Sequence, residues 1–145
     1  MRRAFPSRFP FAAIRATGTR MPNLFLVMFG GAIGSGARYL AGRFALAAWG
    51  PGFPWGTLAV NLIGGLLMGL LAGALARLDQ GGEPWRLLIG VGVLGGFTTF
   101  SAFSLDTIQL IERGDWGLAL AYVMISVVGS VAALAIGLNA ARAVA

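Results

Sequence analysis

Between Gly92 and Asp106 the chain reads Gly-Val-Leu-Gly-Gly-Phe-Thr-Thr-Phe-Ser-Ala-Phe-Ser-Leu-Asp. Glycines, four hydroxyls, three phenyl rings and an acid crowd a stretch that is otherwise apolar enough to cross a bilayer. Irregular backbone at that depth is tolerated only where protein buries it or a polar cavity receives it. The pair Gly95-Gly96 has access to conformations closed to other residues, so a break in the helix is expected there, midway through the membrane. Unwinding exposes carbonyls, which suit a hard cation, and amides, which suit an anion. Thr98, Thr99, Ser101 and Ser104 can satisfy the freed main chain. Phe100 and Phe103 are three apart and share a face if the helix resumes there. A phenyl ring has a negative face and a positive edge, so edge-on rings can solvate an anion without trapping it. Ordinary aromatic packing is the alternative for the two rings.

Two further polar stripes lie on other apolar segments. Thr57, Asn61, Gly65, Gly69 and Gly73 recur every four residues and so line one helix face. The glycines make a close-packing seam; Asn61 offers donors and an acceptor, either to a pathway or to a neighbouring helix. Tyr122, Ser126 and Ser130 repeat the same spacing and form a ladder of hydroxyls. Such hydroxyls either donate to a partly dehydrated anion or bond the carbonyl four residues back. Arg38 comes after the glycine-rich run Gly30-Gly31-Ala32-Ile33-Gly34-Ser35-Gly36. An arginine there snorkels, pairs or faces water, and a vestibule that gathers anions would use it. Asp106 is the one acid well inside an apolar segment. It either pairs with an arginine or caps the resumed helix.

The elements that must position these residues are four apolar segments, about residues 23–48, 55–78, 85–111 and 116–140. Each is near the ~20 residues that a transmembrane helix needs. Trp49, Trp55, Trp85 and Trp116 fall at segment ends, where indole prefers the interface. The short loops make successive helices antiparallel neighbours. Only 11% of the 145 residues are charged, against about 25% in soluble domains. The net charge of +6 does not signal nucleic acid: five arginines lie in the first twenty residues and the others mostly near segment ends, where headgroups explain them. Residues 1–20 read as a basic tail, either disordered or outside a protein that starts at Met21, and residues 21–145 as the membrane domain. From Met21 onward, Arg77, Arg86 and Arg142 fall on one side of the membrane and Arg43 and Arg113 on the other, with Arg38 deeper. That near-tie leaves orientation weakly specified. Four thin spans hardly enclose a selective path alone, so a homo-oligomer is expected, commonly a two-fold dimer. With no histidine, no cysteine and no paired carboxylates, an enzyme is not expected.

Taken together, Gly30 to Tyr39, the run Gly56-Thr57-Leu58-Ala59-Val60-Asn61 with its glycine stripe, and Gly95-Gly96-Phe97-Thr98-Thr99-Phe100-Ser101-Ala102-Phe103-Ser104 resemble the Fluc (CrcB) family of fluoride channels. The resemblance covers about residues 21–140. It implies an all-α membrane protein: an antiparallel, dual-topology homodimer of four-helix subunits with a broken third helix, in the bacterial inner membrane. It implies passive export of fluoride from the cytoplasm and a structural Na+ at the dimer centre. Gly95 and Thr98 match the carbonyl ligands of that cation. Phe100, Phe103 and Asn61 match the pore residues, Tyr122, Ser126 and Ser130 the hydroxyl track, and Arg38 the vestibule; Thr57 joins the expected pore lining. The family usually has Thr where Ala102 stands and Glu where Asp106 stands, and a twenty-residue tail is atypical of it.

The implied partners are a second copy of the chain, fluoride ion and membrane lipid, with no nucleic acid. Two other functions compete. A proton-coupled small multidrug-type exporter is another thin four-span dimer, but it needs an embedded carboxylate, and Asp106 would have to serve. A membrane scaffold would move no ion at all.

Overall fold

The computed structural model describes residues 21–78 and 81–143. The basic tail expected over residues 1–20 lies outside them. The described chain folds as α1 (Met21–Trp49), α2 (Trp55–Leu75), a single turn α3 (Glu83–Trp85), a π-helical stretch (Arg86–Leu94), α4 (Gly95–Phe97), α5 (Phe100–Glu112) and α6 (Trp116–Ala143). Glu83 through Glu112 acts as one length of 30 residues, so four helical spans are long and apolar enough to cross a membrane. They match the four segments expected from sequence, with ends shifted by a few residues.

Glycine decides how the spans approach one another. α2 packs most extensively on α6, and the glycine stripe of α2 forms that seam. A Cβ at Gly65 would stand 2.7 Å from the Ser130 carbonyl oxygen, and one at Gly69 would collide with the Leu134 carbonyl. From the other side, Gly137 seats against the Leu66 carbonyl. A second glycine contact joins α1 to the third span, where Gly30 and Gly92 lie against each other and a Cβ at Gly34 would strike Val93. Backbones this close gain dispersion and weak contacts that larger side chains would forbid.

The third span departs from a plain α-helix twice. Its first half is π-helical over Arg86–Leu94, a rare geometry found frequently at functional sites. Then Thr98 (φ −79°, ψ 157°) and Thr99 (φ −154°, ψ 120°) take extended conformations between α4 and α5. Residue type points to Gly95-Gly96 for such a departure, but Gly95 itself is helical at φ −64°, ψ −37°. Gly96 serves proximity instead: a Cβ there would sit 2.6 Å from the Gly31 carbonyl oxygen. The threonines can leave the helix because Thr99 caps α5, its hydroxyl accepting from Ala102 N at 3.2 Å.

At one end of the bundle the α1–α2 and α5–α6 loops are tied together. Arg113 donates to the Gly52 carbonyl at 2.9 Å and pairs with Asp115 at 3.2 Å. A small apolar core lies beneath this tie, made of Leu58, Phe103, Leu110, Ala119 and Tyr122.

Candidate functional site

Asn61, partway along α2, reaches the extended backbone of the third span with both ends of its amide. Oδ1 accepts from Thr99 N at 2.9 Å, and Nδ2 donates to the Thr99 carbonyl at 3.2 Å. Helix periodicity puts Asn61 on the face that meets α6 and the third span. The glycines around it let those elements come near enough for a short side chain to bridge: a Cβ at Gly64 would collide with the Thr98 methyl group. Of the two roles open to Asn61, the bond to a neighbouring helix is thus realised. Among the described residues, one of the two Nδ2 hydrogens has no partner.

Beside that bridge lies a cleft of about 420 Å3, bounded by Asn61, Thr98, Thr99, Phe100, Phe103, Ser126 and Ser130 and extended by apolar Met68, Val127, Val131 and Leu134. α2, α5 and α6 each supply part of the wall. The rings of Phe100 and Phe103 stand 5.3 Å apart at an interplanar angle of 47°. Phe103 is buried against Tyr122, with centroids 5.3 Å apart, whereas Phe100 is 76% exposed on the subunit. The two rings therefore share an aromatic cluster but divide it into a fixed inner ring and an outward one.

The hydroxyl ladder on α6 splits in the same way. Tyr122 OH donates to Asp106 Oδ2 at 3.1 Å. The hydroxyl oxygens of Ser126 and Ser130 are buried and have no hydrogen-bond partner among the described residues. Three other hydroxyls take the local option: Thr98 bonds the Leu94 carbonyl, Ser104 that of Phe100 and Thr107 that of Phe103. Leaving a buried polar atom unsatisfied costs about 1–3 kcal/mol; both serines border the cleft, with their oxygens sealed from its open surface.

Arg38 on α1 donates through Nε to the Gly96 carbonyl at 3.1 Å. With Arg43, Tyr39 and Thr57 it lines a separate cleft of about 330 Å3 that also touches Thr99 and Ala102. Thr57 faces this cleft and a third one of about 260 Å3 near the loops, which holds Asp106 and Arg113. Thr57 and Tyr122 thus lie apart from the cleft that gathers Asn61, Phe100, Phe103, Ser126 and Ser130. Nothing in residue type marks Thr99 as the hub, yet it touches two clefts and bonds Asn61, Ser101 and Ala102. Its extended backbone is what makes it so.

The arrangement can offer hydrogen-bond donors and ring edges to a small anion, with no cation fixed in the wall of the larger cleft. The model of the CrcB-like protein family, described as Camphor Resistance (CrcB), matches residues 25–138. The chain belongs to this family. It is also similar to proteins named fluoride-specific ion channel FluC. That of Sphingopyxis alaskensis is 57% identical over 118 residues, 81% of this chain and 94% of the relative. That of Novosphingobium aromaticivorans is 58% identical over 121 residues, covering 82% and 95%. That of Phenylobacterium zucineum is 58% identical over 125 residues, covering 86% and 98%. Like the four long apolar helices, membership in the CrcB-like family marks a multi-pass membrane protein.

Proposed function

We propose that the chain is a passive fluoride channel of the inner membrane that lets fluoride leave the cytoplasm. The observation that carries this reading is one cleft where Asn61, two phenyl rings and two unsatisfied buried hydroxyls meet. The name shared by its relatives, that of an ion channel rather than an enzyme, supports it. Fluoride is small and strongly hydrated, so a path must replace its water with several donors. Ser126 and Ser130, their side chains turned into the cleft, and the second Nδ2 hydrogen of Asn61 do so while the edges of Phe100 and Phe103 close the sides. Among the described residues the cleft has no lysine or arginine in its wall, so the ion is held weakly enough to leave.

The conducting unit of this reading is an antiparallel homodimer inserted in both orientations. The open cleft between α2, α5 and α6, with Phe100 turned outward at its edge, supports a partner; the other large apolar residues on the subunit surface suit lipid. The cleft between α2, α5 and α6 becomes a closed path only when a second copy covers it. In such a dimer the extended residues Thr98 and Thr99 lie near mid-membrane, where the third helix is interrupted. A structural Na+ at the dimer centre fits the donors present. Among the described residues no acidic cluster could hold a metal ion, but Gly95 and Thr98 can offer main-chain carbonyls, which suit a hard monovalent cation. When bound, the ion supplies charge that holds two interrupted helices together.

Liposomes holding the purified protein and loaded with potassium fluoride test the proposal. Fluoride efflux measured by electrode, with no chloride efflux under the same conditions, is the expected result. Equal release of both ions, or of neither, overturns it.

A further inference from the structure

In an uninterrupted α-helix the Thr99 amide would close on the Gly95 carbonyl and the Ala102 amide on the Thr98 carbonyl. Both amides go elsewhere. Thr99 N donates to Asn61 Oδ1 at 2.9 Å, and Ala102 N donates to Thr99 Oγ1 at 3.2 Å. Two side chains, one from α2 and one from the turn itself, take the donors that would otherwise occupy two carbonyls. Asn61 Nδ2 then fixes the Thr99 carbonyl at 3.2 Å, so the extended residue is gripped on both sides of its backbone. Arg38 occupies the Gly96 carbonyl between them. The carbonyls stripped of their helical partners without such a side-chain substitute among the described residues are therefore Gly95, Phe97 and Thr98, and the two whose helical donors are held by Asn61 and by the Thr99 hydroxyl are Gly95 and Thr98.

We propose that Asn61 and Thr99 are positioning residues that keep the Gly95 and Thr98 carbonyls available to a monovalent cation. The inference rests on the sodium reading given above. It makes one amide serve two sites. Asn61 borders the fluoride cleft with its second Nδ2 hydrogen and holds the cation site open with its oxygen. Removing that oxygen releases Thr99 N to bond the Gly95 carbonyl and restore a helical turn. Removing the Thr99 hydroxyl releases Ala102 N toward the Thr98 carbonyl. In both cases a cation ligand is lost to a main-chain donor.

The test reads sodium affinity, not flux. The rise of Tm with sodium, at constant ionic strength against N-methylglucamine, gives the concentration at which the purified protein responds. Asn61→Leu and Thr99→Val are expected to need about tenfold more sodium than the unaltered chain, the worth of one hydrogen bond. Thr99→Ser keeps the hydroxyl and keeps the midpoint. Asn61→Asp keeps the acceptor for Thr99 N but loses the donor to the Thr99 carbonyl, so its sodium midpoint should lie between those of Asn61→Leu and the unaltered chain while fluoride efflux is lost, a split that a merely structural residue would not produce. An unaltered chain indifferent to sodium overturns the cation reading and this inference with it. An unaltered chain that responds, with Asn61→Leu and Thr99→Val responding at the same concentration, overturns the positioning role alone. If Asn61→Leu gives no folded protein, Thr99→Val decides, because it removes one hydroxyl at nearly constant volume.

Discussion

Tyr122 on α6 and Asp106 on α5 are joined by a hydrogen bond of 3.1 Å from the phenol to the carboxylate. Tyr122 is fully buried, with Phe103 on one side and the Phe53 ring edge-on at 5.5 Å on the other. The bond commits the one carboxylate lying well inside a span to a structural partner. A proton-driven exporter needs such a group free to bind and release protons along the transport cycle.

Asp106→Asn separates these roles. An amide oxygen still accepts from Tyr122, so the variant should fold and release fluoride from liposomes at a rate within a few-fold of the unaltered chain. An exporter would lose all proton-coupled cation efflux with the same change. Tyr122→Phe removes the donor and leaves the carboxylate without its partner. It should lower stability by about 1 kcal/mol, read by thermal unfolding in detergent.

Ser126 and Ser130 make a prediction of opposite sign for stability and for flux. Their hydroxyl oxygens are buried without partners among the described residues, so Ser126→Ala and Ser130→Ala remove a burden from the folded subunit. Each variant should be unchanged or more stable by up to ~1 kcal/mol. Each also removes a donor that the proposed pathway turns into the cleft, so fluoride efflux should fall while Tm holds or rises. Loss of Tm together with flux would mean that these hydroxyls serve packing alone.

How much of the fold and the cleft is legible in the sequence depends on what sets each feature. The four helices come from length and hydropathy. The α2–α6 seam comes from Gly65, Gly69 and Gly73, because absence of a side chain at four-residue spacing has one main use between membrane helices. The polar residues at the cleft are legible as a set, since spacing gives their faces. Thr57 is not, because its stripe runs past the end of the cleft toward the loops. The hub role of Thr99 is hidden for a different reason. Glycine is the residue that permits unusual backbone, yet the extended dihedrals fall on two threonines, whose conformation any residue adopts and whose stability comes from a distant asparagine. A local reading of residue type cannot see a bond 38 positions away.

Gly69 tests the seam. A methyl group there would collide with the Leu134 carbonyl and come within 2.8 Å of Leu138 N. Backbone cannot rotate aside, so Gly69→Ala should separate α2 from α6 at a cost of roughly 1–3 kcal/mol. Gly36→Ala is the control, because nothing within the subunit lies within 4 Å of the added methyl. Thermal unfolding should show a clear drop for the first and no drop within the subunit for the second.

Phe100 and Phe103 differ in burial, and the difference predicts how their variants part. Phe103 is 7% exposed and belongs to the core with Leu58, Leu110 and Tyr122. Phe103→Ala leaves a cavity there and should cost about 3–5 kcal/mol, lowering Tm and flux together. Phe100 is largely exposed on the subunit and stands at the cleft mouth. Phe100→Ile keeps the apolar surface and loses only the ring edge, so Tm should stay nearly constant while fluoride efflux drops toward that of empty liposomes. The ratio of flux lost to stability lost is therefore large for Phe100 and small for Phe103. A Phe100→Ile protein that conducts fluoride at the full rate would remove the outer ring from the pathway, because no loss of folding could mask an effect in that variant.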